Sequence, residues 1–316
     1  MAEPSTGRTT RIWRDGQFVA WDDATIHVMS HAVHYASSVF EGIRCYETPG
    51  GSAIFRAADH MRRLQDSCRI YRMPMRYDLD TLVQAASDTV NANDLRHCYL
   101  RPIVVRTGEQ MGVYGVDAPV ETFIIAWNWG SYLGDEALQH GVDVCVSSWR
   151  RAAPDTFPGL AKASGNYLSS QLSKMEARIN KYSEGIMLDS FGHVAEGSGE
   201  NLFVVKDGVI FTASLGASIL KGITRDSVMV IARDLGYEVR EEAIPRELLY
   251  IADEAFFSGT AAELTPIRSV DRIQVGDGKP GAITRAIQTQ YMGICKGELE
   301  DRFGWLTMVP ETVTIA

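Results

Sequence analysis

Short runs of β-branched and aromatic residues on either side of tight turns constrain the fold of this chain more than any other feature. Asp15-Gly16 divides residues 11–20 into two such runs, and Asp207-Gly208 separates NLFVVK from VIFT. An Asp-Gly pair in this position is typical of a two-residue β-hairpin, because both turn residues must adopt positive φ. Both segments are therefore predicted to form hairpins.

Helices are predicted between the strands. Apolar residues recur at helical spacing in residues 59–71, and Asp59 is predicted to be the N-cap of this helix. Further helices are predicted for residues 80–91, 166–182 and 224–235, and further strands for residues 98–106, 122–127, 141–149, 185–189 and 194–196. The order lacks a strict strand–helix–strand rhythm, which favours an α+β fold.

The stretch WNWGSYLG interrupts this pattern with glycine and aromatic residues. Such an irregular stretch is typical of a connection between domains. We therefore predict a domain over residues 1–127, a linker over 128–134 and a second domain over 135–316.

Composition and charge exclude several classes of protein. The formal net charge is -9, so the chain has no general attraction for nucleic acid or an anionic membrane. The polar N-terminal residues lack the apolar stretch of a signal peptide, and no run of about 18 apolar residues occurs. The five cysteines are scattered and form no CxxC pair. We predict a cytoplasmic protein with reduced thiols, no membrane or nucleic-acid partner and no metal.

Lys162 is the first of only seven lysines, and small residues flank it just before a predicted helix. A lysine in that setting could lie against a planar ligand, and a neutral lysine amine forms Schiff bases with carbonyl groups. An ordinary exposed lysine at a loop–helix junction would have the same local sequence. The segment alone leaves both interpretations open.

Three other segments carry polar groups beside glycines. EGSGEN places Glu196 and Glu200 around two glycines, and a buried carboxylate there could keep a pyridine nitrogen protonated. GITRD, at residues 222–226, opens a predicted helix, and SGTAAE, at 258–263, follows an apolar run; either could bind a phosphate through backbone N–H groups. A solvated turn, a helix cap and a tight turn are the alternative readings.

Tyr99 and Arg101 lie two residues apart in a predicted strand, so they share a face. An arginine on an apolar strand usually requires an anion, which could be a ligand or a structural carboxylate. His31 and His34 have no matching third ligand, so they are predicted to serve packing or a pocket wall rather than a metal.

Taken together and in this order, these segments resemble the class IV aminotransferases, the fold-type IV pyridoxal-phosphate enzymes, and most of all the bacterial branched-chain aminotransferases. The resemblance covers roughly residues 11–306. Its matching stretches are HVMSHAVHYASSVFEGIRCY, FRAADHMRRLQDSCRIYRMP, YLRPIVVR, WGSYLG, SSWRRAAPDTFPGLAKASGNYLSS, EGSGENLF, GITRDSV, ADEAFFSGTAAELTPIRSVD and GWL. It implies a smaller N-terminal α/β domain and a larger C-terminal domain that resembles a β-barrel.

The resemblance also implies the roles of single residues. Lys162 corresponds to the catalytic Schiff-base lysine. The residues that correspond to other contacts of pyridoxal 5′-phosphate are Arg63, Tyr167, Glu196, Ile223, Thr224 and Thr260. Those that correspond to substrate contacts are Tyr35, Phe40, Tyr99, Arg101, Met111, Val113, Trp129, Tyr132, Tyr167, Thr260 and Ala261. Because Tyr35 and the 111–113 segment correspond to groups that serve the neighbouring subunit, at least a homodimer is implied, and a trimer of dimers stays open.

The implied reaction moves the amino group of L-Leu, L-Ile or L-Val to 2-oxoglutarate, giving the branched 2-oxo acid and L-glutamate. The alternatives are a D-amino-acid or (R)-amine transaminase, a lyase of the aminodeoxychorismate kind, and a non-catalytic binding protein. Ser164, Lys221 and residues 106–110 depart from the bacterial pattern. These departures concern substrate preference more than the reaction itself.

Overall fold

The computed structural model describes residues 7–109, 111–130 and 133–310. The strands in the described part are β1 Arg11–Arg14, β2 Gln17–Ala20, β3 Ser38–Phe40, β4 Ile43–Thr48, β5 Gly51–Phe55, β6 Cys98–Arg106, β7 Val120–Trp127, β8 Val142–Arg150, β9 Glu184–Leu188, β10 His193–Glu196, β11 Asn201–Lys206, β12 Val209–Ala213, β13 Val239–Glu242, β14 Ile244–Pro245, β15 Glu254–Gly259, β16 Glu263–Val270, β17 Ile273–Gln274 and β18 Leu306–Met308. The helices there are α1 His31–Tyr35, α2 Ala57–Ile70, α3 Leu79–Ala92, α4 Asp135–His140, α5 Tyr167–Ile179, α6 Ile223–Asp234, α7 Leu248–Ile251 and α8 Ala282–Cys295.

The described residues divide into two compact units. The first comprises residues 7–109, 111–130, 161–165 and 293–310, and the second comprises 133–160 and 166–292. The chain first passes from one unit to the other within the predicted linker, residues 128–134. The predicted domain limits remain a prediction, because a compact unit is not by itself a domain that folds alone.

The first unit is built on one sheet with the strand order β18, β5, β4, β6, β7, β1, β2, and β3 also pairs with β6. Helices α2 and α3 pack on each other, and α3 also contacts β1 and β7. Met61 and Leu64 from α2, and Leu82 and Val90 from α3, are fully buried in the resulting core. The predicted hairpin at residues 11–20 is confirmed, with Arg14 opposite Gln17 in the β1–β2 pair.

The predicted N-cap of the first long helix is wrong. Helix α2 begins at Ala57 after Arg56, whose left-handed backbone (φ 51°) turns the chain out of β5. The Arg56 N–H donates to the Trp305 carbonyl at 2.7 Å, which ties this turn to the chain before β18. Asp59 therefore lies in the first turn of the helix, where its carboxylate accepts from Arg56 Nε at 2.6 Å.

The second unit contains a closed six-stranded barrel in the order β11, β15, β16, β8, β9, β10, closed by the β10–β11 pair. The β8–β9 and β8–β16 pairs are parallel, and the other neighbours in the ring are antiparallel. Val144, Ile186, Val204 and Phe257 are fully buried in its core. The α+β class, the barrel-like second part and the hairpin of β11 and β12 are thus confirmed.

Strand β6 positions the polar groups of the first unit. It pairs with β7 from Tyr99 to Arg106, whereas on its other side β3 ends at Phe40 and β4 begins at Ile43. Pro102 lies opposite this interruption, so its missing N–H breaks no ladder bond, and its carbonyl accepts from Glu41 N at 2.8 Å. Gly42 is required there, because a Cβ would lie 1.8 Å from the Tyr99 hydroxyl.

Candidate active site

The segment that carries Lys162 is attached to the first unit by its backbone. The Lys162 N–H donates to the Ser67 hydroxyl on α2 at 3.0 Å, and the Lys162 carbonyl accepts from Phe40 N at 3.0 Å. Ala163 next to it bridges to Val39. The half-buried Lys162 amine therefore extends from a fixed backbone, and it lies 5.1 Å from the centre of the Phe40 ring.

Arg101 lies among three aromatic rings. Its guanidinium carbon is 4.7 Å from the Phe40 ring centre, 5.5 Å from that of Tyr99 and 5.7 Å from that of Trp127. Its Nε is buried, and it has no hydrogen-bond partner in the part of the chain that the structure describes. A buried unpaired donor on a cation is costly, so this arrangement suits an anionic ligand.

Arg63 is held by a buried acidic partner that the sequence did not reveal. Its Nε and Nη2 donate to the two oxygens of Glu41 at 2.7 and 2.8 Å. His60 Nδ1 lies 2.7 Å from the same carboxylate. Burial would raise the pKa of Glu41, but the charge of Arg63 and the contact with His60 outweigh it and hold this pKa far below its ordinary value. Burial lowers the pKa of His60 by more than the neighbouring Glu41 carboxylate raises it.

The other predicted substrate residues of the first unit divide into two groups. Trp129 packs edge-on against Tyr99, with ring centres 4.6 Å apart, and lies 5.9 Å from the ring centre of Trp127. Tyr35, Met111 and Val113 are exposed, and the Tyr35 hydroxyl accepts from Gly112 N at 3.1 Å. Tyr132 lies outside the described residues.

In the second unit, Glu196 is held by three donors. Its Oε2 accepts from Asn201 Nδ2 at 2.9 Å and from Leu220 N at 3.1 Å, and its Oε1 lies 3.1 Å from Arg151 Nε. The side chains of Arg151 and Glu196 are only 9% and 8% exposed. These donors hold the carboxylate in one position, and a carboxylate so placed could stabilise a protonated ring nitrogen.

Both predicted phosphate-binding segments lie near this carboxylate. Asn201 Nδ2 also donates to the Leu220 carbonyl at 3.0 Å, just before Gly222, the N-cap of α6. Ile223 and Thr224 are buried in the first turn of α6, where backbone N–H groups lack acceptors within the helix. At Gly222 a Cβ would lie 1.9 Å from the Asn201 side-chain oxygen, so only glycine permits this approach.

The second of these segments follows β15. Ser258 is paired with Asn201, which is paired with Glu196, so the three side chains share one face of the sheet. The Ser258 hydroxyl is buried, and no partner accepts from it among the described residues. Thr260 and Ala261 form the turn that comes directly after this strand. A phosphate oxygen would satisfy such a hydroxyl, so these residues fit a phosphorylated cofactor.

Tyr167 is the first residue of α5 and is half-buried. Lys174, further along the same helix, donates to Glu184 Oε2 at 2.5 Å and to the Ser183 carbonyl at 2.9 Å. Burial, and then the charge of Glu184, raise the pKa of Glu200 to about 8, while the charge of Lys174 opposes this shift. Lys174 is thus part of a buried charge cluster.

The sequence did not single out Glu41, Arg44, Asn201 or Arg151. Arg44 is 2% exposed and donates to the Gly130 carbonyl at 3.1 Å. The signal that could have found it is its register, because Arg44 pairs with Tyr99 across β4 and β6. For the other residues the informative contact joins segments distant in sequence or joins a side chain to the backbone.

Two features that would indicate other classes of protein are absent from residues 7–109, 111–130 and 133–310. In that part of the chain, no helix combines the length and apolar character needed to cross a membrane. The same residues include no cluster of three or more histidine, cysteine or acidic side chains placed to bind a metal ion. The five cysteines are buried thiols.

Comparison with known proteins gives consistent relatives. Residues 38–270 match the family model described as amino-transferase class IV. The branched-chain-amino-acid aminotransferase of Escherichia coli is 52% identical over 310 residues, which cover 96% of this chain and 99% of that protein. A crystal structure of the Escherichia coli enzyme matches with a TM-score of 0.92 and 52% identity, covering 96% of this chain and 100% of that one.

A second solved structure shows the same fold in a cofactor-bound form. It is the branched-chain amino acid aminotransferase of Thermobaculum terrenum in its PLP form. It matches with a TM-score of 0.90 and 37% identity, covering 96% of this chain and 99% of that one. The chain therefore belongs to the class IV aminotransferases, the family that its motifs resemble, and it is an aminotransferase.

Proposed function

We propose that this aminotransferase moves the amino group of L-Leu, L-Ile or L-Val to 2-oxoglutarate, giving the branched 2-oxo acid and L-glutamate. The observation that carries the proposal is the setting of Arg101. Its guanidinium lies against Phe40, Tyr99 and Trp127, and its Nε is buried without a partner in the described residues. Aromatic walls suit a branched aliphatic side chain, and the guanidinium suits the second carboxylate of the acceptor.

The cofactor of the proposal is pyridoxal 5′-phosphate. The residues that would hold it are Lys162, Arg63, Tyr167, Glu196, Ile223, Thr224 and Thr260. When bound, it supplies an electron sink for the bonds at the amino acid Cα. The residues present fit it, because Glu196 is a fixed carboxylate and Arg63 is a cation held in one orientation by Glu41. On the same face as Glu196, the Ser258 hydroxyl has no acceptor among the described residues.

Lys162 has the catalytic role in this proposal. Hydrogen bonds to Ser67 and Phe40 fix its backbone on both sides. The position of its amine therefore depends only on rotations within the Lys162 side chain. A neutral lysine amine can take the proton from the substrate Cα and return it. The Phe40 ring lies beside the amine, where we propose that it shields the transferred proton from water.

The residues proposed to contact substrate are Tyr35, Phe40, Tyr99, Arg101, Met111, Val113, Trp129, Tyr132 and Ala261. Tyr35, Met111 and Val113 expose large apolar surface, as residues of an interface between subunits do in an isolated chain. We propose that they complete the site of a neighbouring subunit in a homodimer, which could assemble further into a trimer of dimers. The proposed location is the cytoplasm, and the proposed domains are residues 1–127 and 135–316, joined by 128–134.

A transamination panel tests the proposal. L-Leu, L-Ile, L-Val, D-Ala and an (R)-arylamine are each offered with 2-oxoglutarate, and L-glutamate is measured. The three branched L-amino acids should react fastest. Faster reaction of D-Ala or of the arylamine would replace the proposal with a D-amino-acid or (R)-amine transaminase. The visible absorbance of the holoenzyme should shift on addition of L-Leu, which a non-catalytic binding protein would not show.

A further inference from the structure

The segment Met111–Val116 exposes large apolar side chains on a backbone that is held in place. Met111 is 55% exposed, Val113 85% and Tyr114 75%, and Val116 is exposed as well. Gly115, which precedes Val116, is buried. Exposed apolar side chains on a loop usually belong to a mobile segment, unless buried groups satisfy the loop's backbone. Here two buried side chains bind carbonyl oxygens of the segment.

Arg106, the last residue of β6, is one of them. It is 4% exposed, and its Nη1 donates to the carbonyls of Gly115, at 2.5 Å, and Val116, at 3.2 Å. Its Nη2 donates to the carbonyls of Tyr71 and Arg72, both at 3.0 Å. The planar guanidinium thus ties the segment to the C-terminal end of α2 through four backbone carbonyls.

His31 is the second. Its Nε2 lies 3.0 Å from the Gly112 carbonyl, and because a carbonyl only accepts, Nε2 carries the proton. Its Nδ1 then accepts from the Ser37 hydroxyl at 2.7 Å. At Gly115 a Cβ would lie 2.4 Å from His31 Nε2, so glycine lets the segment approach the imidazole. The segment is therefore fixed at Gly112 and again at Gly115.

These contacts connect the segment to the strand that carries the substrate groups. Arg106 ends the same strand in which Arg101 and Tyr99 lie, and β6 is paired with β7 from Tyr99 to Arg106. In the proposed homodimer, β6 thus carries Arg101 for the site of its own subunit and Arg106, the anchor of the apolar wall that completes the site of the neighbouring subunit. Preorganising a binding surface raises affinity because less freedom is lost when the ligand binds.

We propose that Arg106 is a positioning residue that holds Met111 and Val113 in their binding arrangement and so sets the affinity for apolar amino acids without touching them. This inference rests on the proposed function, in which these two side chains form part of the substrate wall. Removing the guanidinium would leave four carbonyls without their donor and let the segment populate other arrangements.

The test compares Arg106→Met and Arg106→Lys with Arg56→Met as the matched control. Arg56 is also a largely buried arginine of the first unit, but it donates to Asp59 and lies over Trp305. If Met111–Val116 keeps its arrangement only about a tenth of the time in Arg106→Met, KM for L-leucine rises roughly 10-fold with little change in kcat. Backbone amide hydrogen exchange should accelerate in residues 111–116, and Arg106→Lys should fall between wild type and Arg106→Met in both measurements.

Each result decides the matter. Faster exchange without a rise in KM, or a rise in KM without faster exchange, would overturn the inference, and so would an equal rise in KM in Arg56→Met. If Arg106→Met does not fold, Arg106→Lys gives the same two readouts. Hydrogen exchange is independent of turnover, so a wild-type enzyme that ignores L-leucine would refute the proposed function, while the exchange data would still show whether Arg106 holds the segment.

Discussion

Replacing Arg101 by methionine should separate the two kinds of substrate that one aminotransferase must accept. Methionine keeps an unbranched side chain of similar length beside Phe40, Tyr99 and Trp127, but it removes the charge and every donor. The proposed acceptor 2-oxoglutarate carries a second carboxylate, whereas the side chain of L-leucine is only hydrocarbon. The loss should therefore fall on the dicarboxylates.

The magnitude follows from the contacts of Arg101. A hydrogen bond to a charged group contributes about 1.5–3 kcal/mol, or roughly 10- to 150-fold in kcat/KM for L-glutamate and 2-oxoglutarate. Stability should change little. The substitution removes cation–π contacts of about 0.5–2 kcal/mol, but it also removes a buried Nε without a partner in the described residues, which costs about 1–3 kcal/mol.

The assay is single-turnover kinetics of each half-reaction, with L-glutamate and 2-oxoglutarate in one set and L-leucine and its 2-oxo acid in the other. Arg101→Lys is the control, because it keeps the charge but loses the planar fork, and it should retain part of the glutamate reaction. An equal fall for leucine and glutamate would refute the reasoning. Arg101 would then be structural or would bind the α-carboxylate common to both substrates.

Lys162→Ala should abolish turnover and leave the far-ultraviolet circular dichroism spectrum, which reports the fold, unchanged. Lys279→Ala, at an exposed lysine, should keep full activity. Activity in both variants would refute the assignment. Glu196→Gln should lower kcat more than cofactor affinity, and poor cofactor binding with normal turnover would contradict that role. The pKa of Glu200 is raised to about 8 in the folded protein, so the folded chain holds this proton more tightly than the unfolded chain does. As the pH rises from about 5 to 8, the free energy of unfolding of the wild type should therefore fall relative to that of Glu200→Gln. Urea unfolding across that range measures the difference, and parallel curves would show that Glu200 is ionised throughout.

Local patterns predicted the elements that position the site. Strand β6 spans the predicted residues 98–106, and α6 begins one residue before the predicted 224. These segments have strong local signals: β-branched runs for the strand, and Gly222 and Gly236 at the two ends of the helix. The prediction of Asp59 as the N-cap is wrong because the Trp305 carbonyl, almost 250 residues away, binds Arg56, which adopts a left-handed backbone conformation. No local sequence pattern indicates this contact.

The partners of the site residues were beyond sequence reasoning. Arg63 lies on α2, and Glu41, 22 residues earlier, lies in the loop between β3 and β4. Their pairing depends on how α2 packs against the sheet. Arg106 binds backbone carbonyls, which every residue possesses, so no acceptor residue type marks its contacts. Motif spacing identified which side chains are chemically suited to the reaction, but packing determines what holds each of them in place.

The surroundings of Arg101 explain how one pocket could accept both leucine and glutamate. A site that hydrogen-bonds a substrate group normally rejects an analogue without that group, because its own donors are left unpaired. Here the faces of Phe40, Tyr99 and Trp127 stabilise the guanidinium when no carboxylate is present. The cost of leaving Arg101 unpaired beside leucine is therefore reduced, while the same rings offer the aliphatic side chain an apolar surface. The aromatic walls thus lower selectivity, which a transaminase with two unlike substrates requires.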